Sequence, residues 1–295
     1  MKSIKEYTQH FFNMLGYKLV KIDNSIDVGF YEKAYGLESV RGRKFYNIGA
    51  GSFSHPCWTN LDHKSDWYGK QQKDDCFLEY DILAMDPLPL QENSAEIFYT
   101  SHTIEHITDD AALHLFSEVN RVLKTGGIFR ITAPNIDLHY QAYLSNDRHF
   151  FYWTKNYQSA YQYRKVHLRQ PLSQASTQQL FLYEFATHVS EIFSDSIDNP
   201  LSDAEIDKIF QSMEFSKALD SIVSRCSLDK QRKYPGNHIN WWNRDKVINF
   251  LQRCGFKKIF ISGYGQSIAA VMRDTEYFDN THPKISLYIE AEATN

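Results

Sequence analysis

From Lys44 onward, short apolar runs alternate with polar or helical stretches. KFYNI (44–48) has strand composition and stops at GAGS. WTNLD (58–62) is a second short run that ends on an acid, and CFLEYDI (76–82) is a third, closed by the turn residues of DPLPL. EIFYTS (96–101) is a fourth. The stretch TDDAALHLFSEVNRVLKTGG then predicts a helix. Asp109 and Asp110 in its first turn suit the positive end of the dipole, and Ala112, Leu115, Phe116, Val119, Val122 and Leu123 recur at 3.6-residue spacing. Gly126 and Gly127 supply its expected stop, before a fifth strand at IFRITAP (128–134). Near the C-terminus, NRDKVINFLQRCGF predicts a helix ended by Gly255, followed by strands at KKIFIS (257–262) and ISLYIEA (285–291).

Strand, connection, strand, repeated in this way, predicts an α/β fold: a Rossmann-like, doubly wound, mostly parallel seven-stranded sheet. Between about 135 and 240 the alternation breaks. Where that stretch is readable it is helical, as in SDAEIDKIF, where Ser202 and Glu205 form a capping box. The expected organisation is a single domain over 1–295. It comprises a core at 44–137, a largely helical insertion at 138–240 lying over the sheet, and a C-terminal helix with the last strands at 241–295.

Composition narrows the partners. A formal charge of −4 with no Lys/Arg block gives no electrostatic footprint for duplex nucleic acid. Arg148, Arg164, Lys165 and Arg169 are too sparse for a single-strand groove. No apolar run reaches the length of a membrane span. The start, MKSIKEYTQHFFNML, is an amphipathic helix pattern with charges inside it, unlike a signal peptide. The four cysteines Cys57, Cys76, Cys226 and Cys254 form no C-x-x-C pair, which suits a reducing cytosol and reads as small buried side chains. A cytoplasmic location is expected.

In doubly wound sheets, ligands bind outside the carboxyl ends of the strands. The first strand ends in NIGAGSF, so Gly49, Ala50 and Gly51 lie at that edge, where a missing Cβ lets backbone approach a ligand. A dinucleotide fingerprint would need a third glycine where Ser54 stands, and an acid about 20 residues further on. Asp62 comes too early, and Pro56 interrupts any helix that could receive a pyrophosphate, so NAD is disfavoured. A ligand without phosphates, such as S-adenosylmethionine, needs no such helix. Asp62, ending the second strand, can accept from both ribose hydroxyls, and Asp81, ending the third, from the adenine amino group. The plainer alternative makes both acids strand-end turn residues.

These residues carry a resemblance. FYNIGAGSF, WTNLD, LEYDIL, EIFYTSHTIEHI and EVNRVLKTGGIFRITAPN together resemble a class I S-adenosylmethionine-dependent methyltransferase. More narrowly, they resemble the methyltransferases associated with cell-surface polysaccharide synthesis, whose first helix is likewise shortened. The resemblance covers about 44–137 and resumes at GNHINWW, FLQRCGF and PKISLYIEA. It implies that Gly49, Ala50 and Gly51 face the methionine moiety, Asp62 the ribose, and Asp81 with Ile82 the adenine. Ser101 and His102 would line the site. Asn47 departs from the pattern, standing where many relatives have an acid two residues before the first glycine.

HTIEH (102–106) also matches the inverted zincin signature H-x-x-E-H. A zincin sets both histidines on a long helix and needs a third ligand, for which Glu184 is one nominee among several. Here the motif follows a strand directly and the long helix begins only near Asp109. No metal is therefore assigned. His102 is either a general base or a polar contact to substrate. Glu105 and His106 are expected to brace the loop. His238, in GNHINWW, either reaches the cleft or caps the next helix.

The acceptor is less legible. The segment 139–164 carries nine aromatic side chains. They either stack on a flat acceptor such as a sugar or, as the preferred reading has it, pack the insertion together. A saccharide or small-molecule hydroxyl is the expected acceptor, the alternative being a domain that binds S-adenosylmethionine without catalysis.

Overall fold

The computed structural model describes residues 4–16, 28–64, 76–157 and 167–294. They build a seven-stranded sheet from β1 (Phe45–Ile48), β2 (Trp58–Asp62), β3 (Phe77–Glu79), β4 (Ala95–Ser101), β5 (Leu123–Pro134), β6 (Lys258–Ile261) and β7 (Ser286–Glu292). The strand order is β3-β2-β1-β4-β5-β7-β6. β7 runs antiparallel to both of its neighbours, and the other pairings are parallel. The order reverses between β1 and β4, so a crevice opens at the carboxyl ends of those two strands.

The helices follow the chain as α1 (Ile4–Met14), α2 (Val28–Tyr35), α3 (Leu37–Arg41), α4 (Asp109–Val122), α5 (Ile136–Leu144), α6 (Thr177–Tyr183), α7 (Asp203–Ser212), α8 (Phe215–Val223), α9 (Leu228–Lys233) and α10 (Arg244–Arg253). α4 buries Ala112, Leu115, Phe116, Val119 and Val122 against Phe98 and Phe129 of the sheet. Each fully buried Phe or Leu contributes about 1.5–3 kcal/mol. The opposite face is covered by Tyr31, Trp58, Met272 and Phe278. A second apolar core, apart from the sheet, buries Phe151, Phe181, Phe185, Ile206, Leu219 and Trp241.

Several sequence boundaries move. α4 stops at Val122, before the glycine pair is reached, because Leu123 is taken into β5 opposite Ala95. Gly126 lies within β5 at φ 83° instead of capping a helix, and its N–H donates to the Ala293 carbonyl. A Cβ on Gly127 would stand 2.8 Å from the Lys124 carbonyl oxygen. β3 ends at Glu79, because the Asp81 side chain accepts from the Leu83 N–H and turns the chain into a short 3-10 helix, Ile82–Ala84. The capping box at the start of α7 forms as expected, with Ser202 N–H donating to Glu205 at 2.9 Å. Of the four cysteines only Cys57 is buried; Cys76, Cys226 and Cys254 are half-buried, and all four are free thiols. Among the described residues no helix is long and apolar enough to cross a membrane.

Candidate active site

A cleft of about 400 Å³ opens at the carboxyl edge of the sheet, lined by Gly49, Gly51, Asp62, Asp81, Ser101 and His102 among others. Its size lies within the roughly 300–1,000 Å³ common for small-molecule sites. Ala50 and Ile82 also face it, so eight of the nine expected site residues share one cavity. The ninth, Asn47, lines an adjoining polar cavity of about 320 Å³ together with Ser101 and Asn280.

The floor is the turn after β1. No helix forms between Ile48 and Trp58, as Pro56 suggests, and Gly49 and Gly51 take φ of 67° and 54°. A side chain at Gly49 would overlap Thr103 at 2.3 Å, whereas one at Gly51 would meet no protein atom within 4 Å. Gly51 N–H donates to Asp62 Oδ2 and His63 N–H to Asp62 Oδ1, each at 2.8 Å. Two backbone donors thus fix the carboxylate in one orientation.

Asp81 Oδ1 accepts from Leu83 N–H at 2.9 Å, and Oδ2 pairs with Arg232 Nη1 of α9 at 3.1 Å. Arg232, Gln231, Pro235 and Thr281 line the cleft from outside the core strands. Sequence reasoning missed them, because a basic residue on an insertion helix carries no periodic or motif signal. Asn47 is buried, and its Oδ1 accepts no hydrogen bond within the protein.

At the end of β4, Ser101 Oγ accepts from Thr132 Oγ1 at 2.9 Å. His102 turns the chain at φ 51°, and Ile104–His106 is a single 3-10 turn. The long helix a zincin requires is therefore absent at this motif. His102 Nδ1 lies 3.3 Å from Glu105 Oε1, and its Nε2 lies 2.7 Å from Ser286 Oγ, so both ring nitrogens face protein groups. Glu105 is 1% exposed. Burial raises its pKa, but the adjacent His102, His106 and His238 outweigh that effect and hold it at about 2. Burial pushes His106 down to about 4, so its ring is neutral at pH 7.

His238 does not cap α10; Asn243 does, its side chain accepting from Lys246 N–H. The His238 ring instead lies 4.8 Å from that of His106. The Glu184 side chain pairs with His139 at 3.1 Å, and its carbonyl lies 2.7 Å from His238 Nδ1. Tyr140, Tyr143, Phe150, Phe151, Tyr152 and Trp153 pack into or against the second apolar core, the preferred of the two readings. Residues 158–164 of that aromatic run, with Arg164 and Lys165, lie outside the described residues.

Residues 59–131, from β2 into β5, match the family described as "Methyltransferase domain". Among curated proteins none matches the chain. Solved structures align along most of its length. One is an S-adenosylmethionine-dependent methyltransferase from Mesorhizobium loti, at 13% identity and a TM-score of 0.39, covering 86% of this chain and 96% of that one. Another is from Archaeoglobus fulgidus, at 11% identity and a TM-score of 0.39, covering 90% and 100%. Likeness that distant adds no weight to the domain match and the sheet order. The domain match over residues 59–131, set within this sheet order, supports an S-adenosylmethionine-dependent methyltransferase.

Proposed function

We propose that the protein methylates a hydroxyl group on a saccharide or other polyhydroxyl acceptor, with residues 44–137 as the cofactor-binding core and 138–240 as a cover over the acceptor. The observation that carries this reading is the joined geometry of the glycine turn and Asp62 within one cleft that also holds Asp81, Ser101 and His102.

Asp62, oriented by two backbone donors, accepts from the ribose hydroxyls. The open space beside Gly51 admits the methionine moiety, which passes Gly49 and Ala50. Asn47 Oδ1, a buried acceptor with no protein donor, takes a hydrogen from the cofactor's amino group through the adjoining polar cavity. At that position a neutral amide oxygen accepts one hydrogen bond where a carboxylate would add charge. Asp81 and Ile82 border the adenine, Asp81 as acceptor. When bound, S-adenosylmethionine supplies an electrophilic methyl group on a sulfonium.

Ser101 and His102 face the acceptor. With both ring nitrogens already engaged, His102 serves as a positioning contact rather than a free base, and in-line placement is the main contribution of the chain. The cleft also holds His106, Gln231 and Thr281, hydrogen-bonding side chains that suit a polyhydroxyl ligand. The link to cell-surface polysaccharide synthesis rests on sequence resemblance, and the four free thiols fit a reducing compartment such as the cytosol. The test is an acceptor screen with methyl-labelled donor across saccharides, phenols, amines and single-stranded nucleic acid. Label on the hydroxyl of a saccharide supports the reading, and label confined to amines or nucleic acid contradicts it.

A further inference from the structure

Glu105, His106 and His238 each offer one ligand atom, and these atoms lie within 4.8 Å of one another; among the described residues they are the group of three so placed. This set differs from the zincin spacing, since the second imidazole comes from the 236–240 segment and not from His102. The tautomers follow from the hydrogen bonds. His106 Nδ1 lies 2.8 Å from the Asn237 carbonyl and His238 Nδ1 lies 2.7 Å from the Glu184 carbonyl. A carbonyl oxygen only accepts, so both Nδ1 atoms carry a proton, and the two Nε2 atoms are left as the ligand atoms.

Between those nitrogens stands a carboxylate that is 1% exposed and accepts no well-formed hydrogen bond at either oxygen. A buried anion left in that way is an unfavourable arrangement, and a cation relieves it. Imidazoles that donate their second N–H to backbone carbonyls are also how metal ligands are held in orientation. His102 Nδ1, 3.3 Å from Glu105 Oε1, steadies the carboxylate in the same sense.

Both ligand-bearing segments are pinned. The Glu105 carbonyl accepts from Ile239 N–H at 2.9 Å and Asn240 N–H at 3.1 Å, and Asn240 Nδ2 donates to the Ile107 carbonyl. Thr187 N–H donates to the His238 carbonyl. Metal–ligand bonds of about 2.1 Å set ligand–ligand separations near 3.5 Å, so roughly an ångström of side-chain adjustment closes the site.

We propose that Glu105, His106 and His238 bind one divalent transition-metal ion at the edge of the active-site cleft, and that its open coordination positions take an oxygen of the acceptor. Two imidazoles and one carboxylate suit Zn²⁺, Co²⁺ or Mn²⁺ and leave positions unfilled, the pattern of a catalytic rather than a structural site. His106 lines the cleft itself, so those positions open toward it. An acceptor hydroxyl held there loses its proton to solvent more readily, its O–H electron pair staying on oxygen. That second part rests on the methyl-transfer reading; metal binding by the three residues does not.

The probe is Co²⁺ added to full-length protein stripped with chelator, read by visible absorption and by metal content after gel filtration. The expected result is one ion per chain, displaced by Zn²⁺. Affinity should fall at least about a hundredfold in both Glu105→Gln and His238→Ala, because losing a ligand costs no less than losing its outer partner. S-adenosylhomocysteine binding, measured in the same samples, reports separately on the cofactor site and should persist in both variants. Far-ultraviolet circular dichroism checks each fold, and either variant alone suffices if the other does not fold. Absence of a stoichiometric ion in the wild type, or equal affinity in the folded variant, would overturn the metal site, whereas an ion without cofactor binding would overturn the methyltransferase reading alone.

Discussion

Gly51 and Asp62 are locked together across the mouth of the sheet: the Gly51 N–H donates to Asp62 Oδ2 at 2.8 Å while Gly51 holds φ at 54°. Only the backbone of Gly51 is used, and a Cβ there would project into open space. Gly51→Ala should therefore cost about 1 kcal/mol of stability, the ordinary penalty of a left-handed alanine, yet weaken cofactor binding more than tenfold. Gly49→Ala adds an overlap at 2.3 Å with Thr103 and should lose about 2–4 kcal/mol. Urea unfolding of both variants, with calorimetric titration of Gly51→Ala, checks the contrast; equal stability losses would contradict it.

Arg130 lies fully buried in β5 and donates from Nε and Nη2 to Asp279, with Nη1 3.2 Å from Glu290. Replacing it with methionine strands two carboxylates in a dry site. Arg130→Met should lose about 3–5 kcal/mol, the usual consequence of breaking a buried pair from one side. A loss below about 1 kcal/mol in urea unfolding would show that Asp279 and Glu290 find other partners.

His55 titrates against folding. Its Nδ1 accepts from the Cys57 N–H at 3.2 Å, and burial lowers its pKa from 6.5 to about 4. Above pH 6.5 the ring is neutral in both states and folding is unaffected by it. Between pH 6.5 and 4 the unfolded chain takes up a proton that the folded chain refuses, so stability falls with falling pH, by on the order of 3 kcal/mol in total, and levels below pH 4. His188 is depressed in the same way and adds to the slope. Urea unfolding between pH 4 and 7.5 should show a shallower decline in His55→Gln than in the wild type. Parallel curves would remove His55 from the account.

Arg232 spans the cleft from α9 to Asp81 with both side chains partly exposed. The pair is worth at most about 1 kcal/mol, and it occupies an oxygen proposed to face adenine. Arg232→Ala should leave the melting temperature nearly unchanged and alter the affinity for S-adenosylhomocysteine by less than about fivefold, toward tighter binding. A tenfold loss would mean that Arg232 itself holds the ligand.

Much of this architecture was legible because parallel strands buried on both faces read as short apolar runs, and because Asp62 and the glycine turn sit at their ends. The errors share a cause. Leu123 to Gly127 has a helical pattern, but its partners Ala95 and Ala293 recruit it into the sheet, which no local window can register. Asp81 ends β3 early through a bond made by its own side chain. Arg232 lines the cleft, and His238 comes beside His106, only because the insertion folds back on the sheet edge. The sequence offered His238 two roles at even weight, and it offered Arg232 none.

The most direct test titrates S-adenosylhomocysteine calorimetrically into the wild type and Asp62→Ala, with NAD as control. Removing a carboxylate that accepts from both ribose hydroxyls deletes two charge-assisted bonds of roughly 1.5–3 kcal/mol each. Since such losses are rarely additive, the account predicts a weakening of about 3 kcal/mol, or a hundredfold in Kd, with no heat from NAD. Asp62→Asn, which keeps one acceptor oxygen, should fall between the two. Equal affinity in the wild type and Asp62→Ala, or binding of NAD in place of S-adenosylhomocysteine, would contradict the central claim.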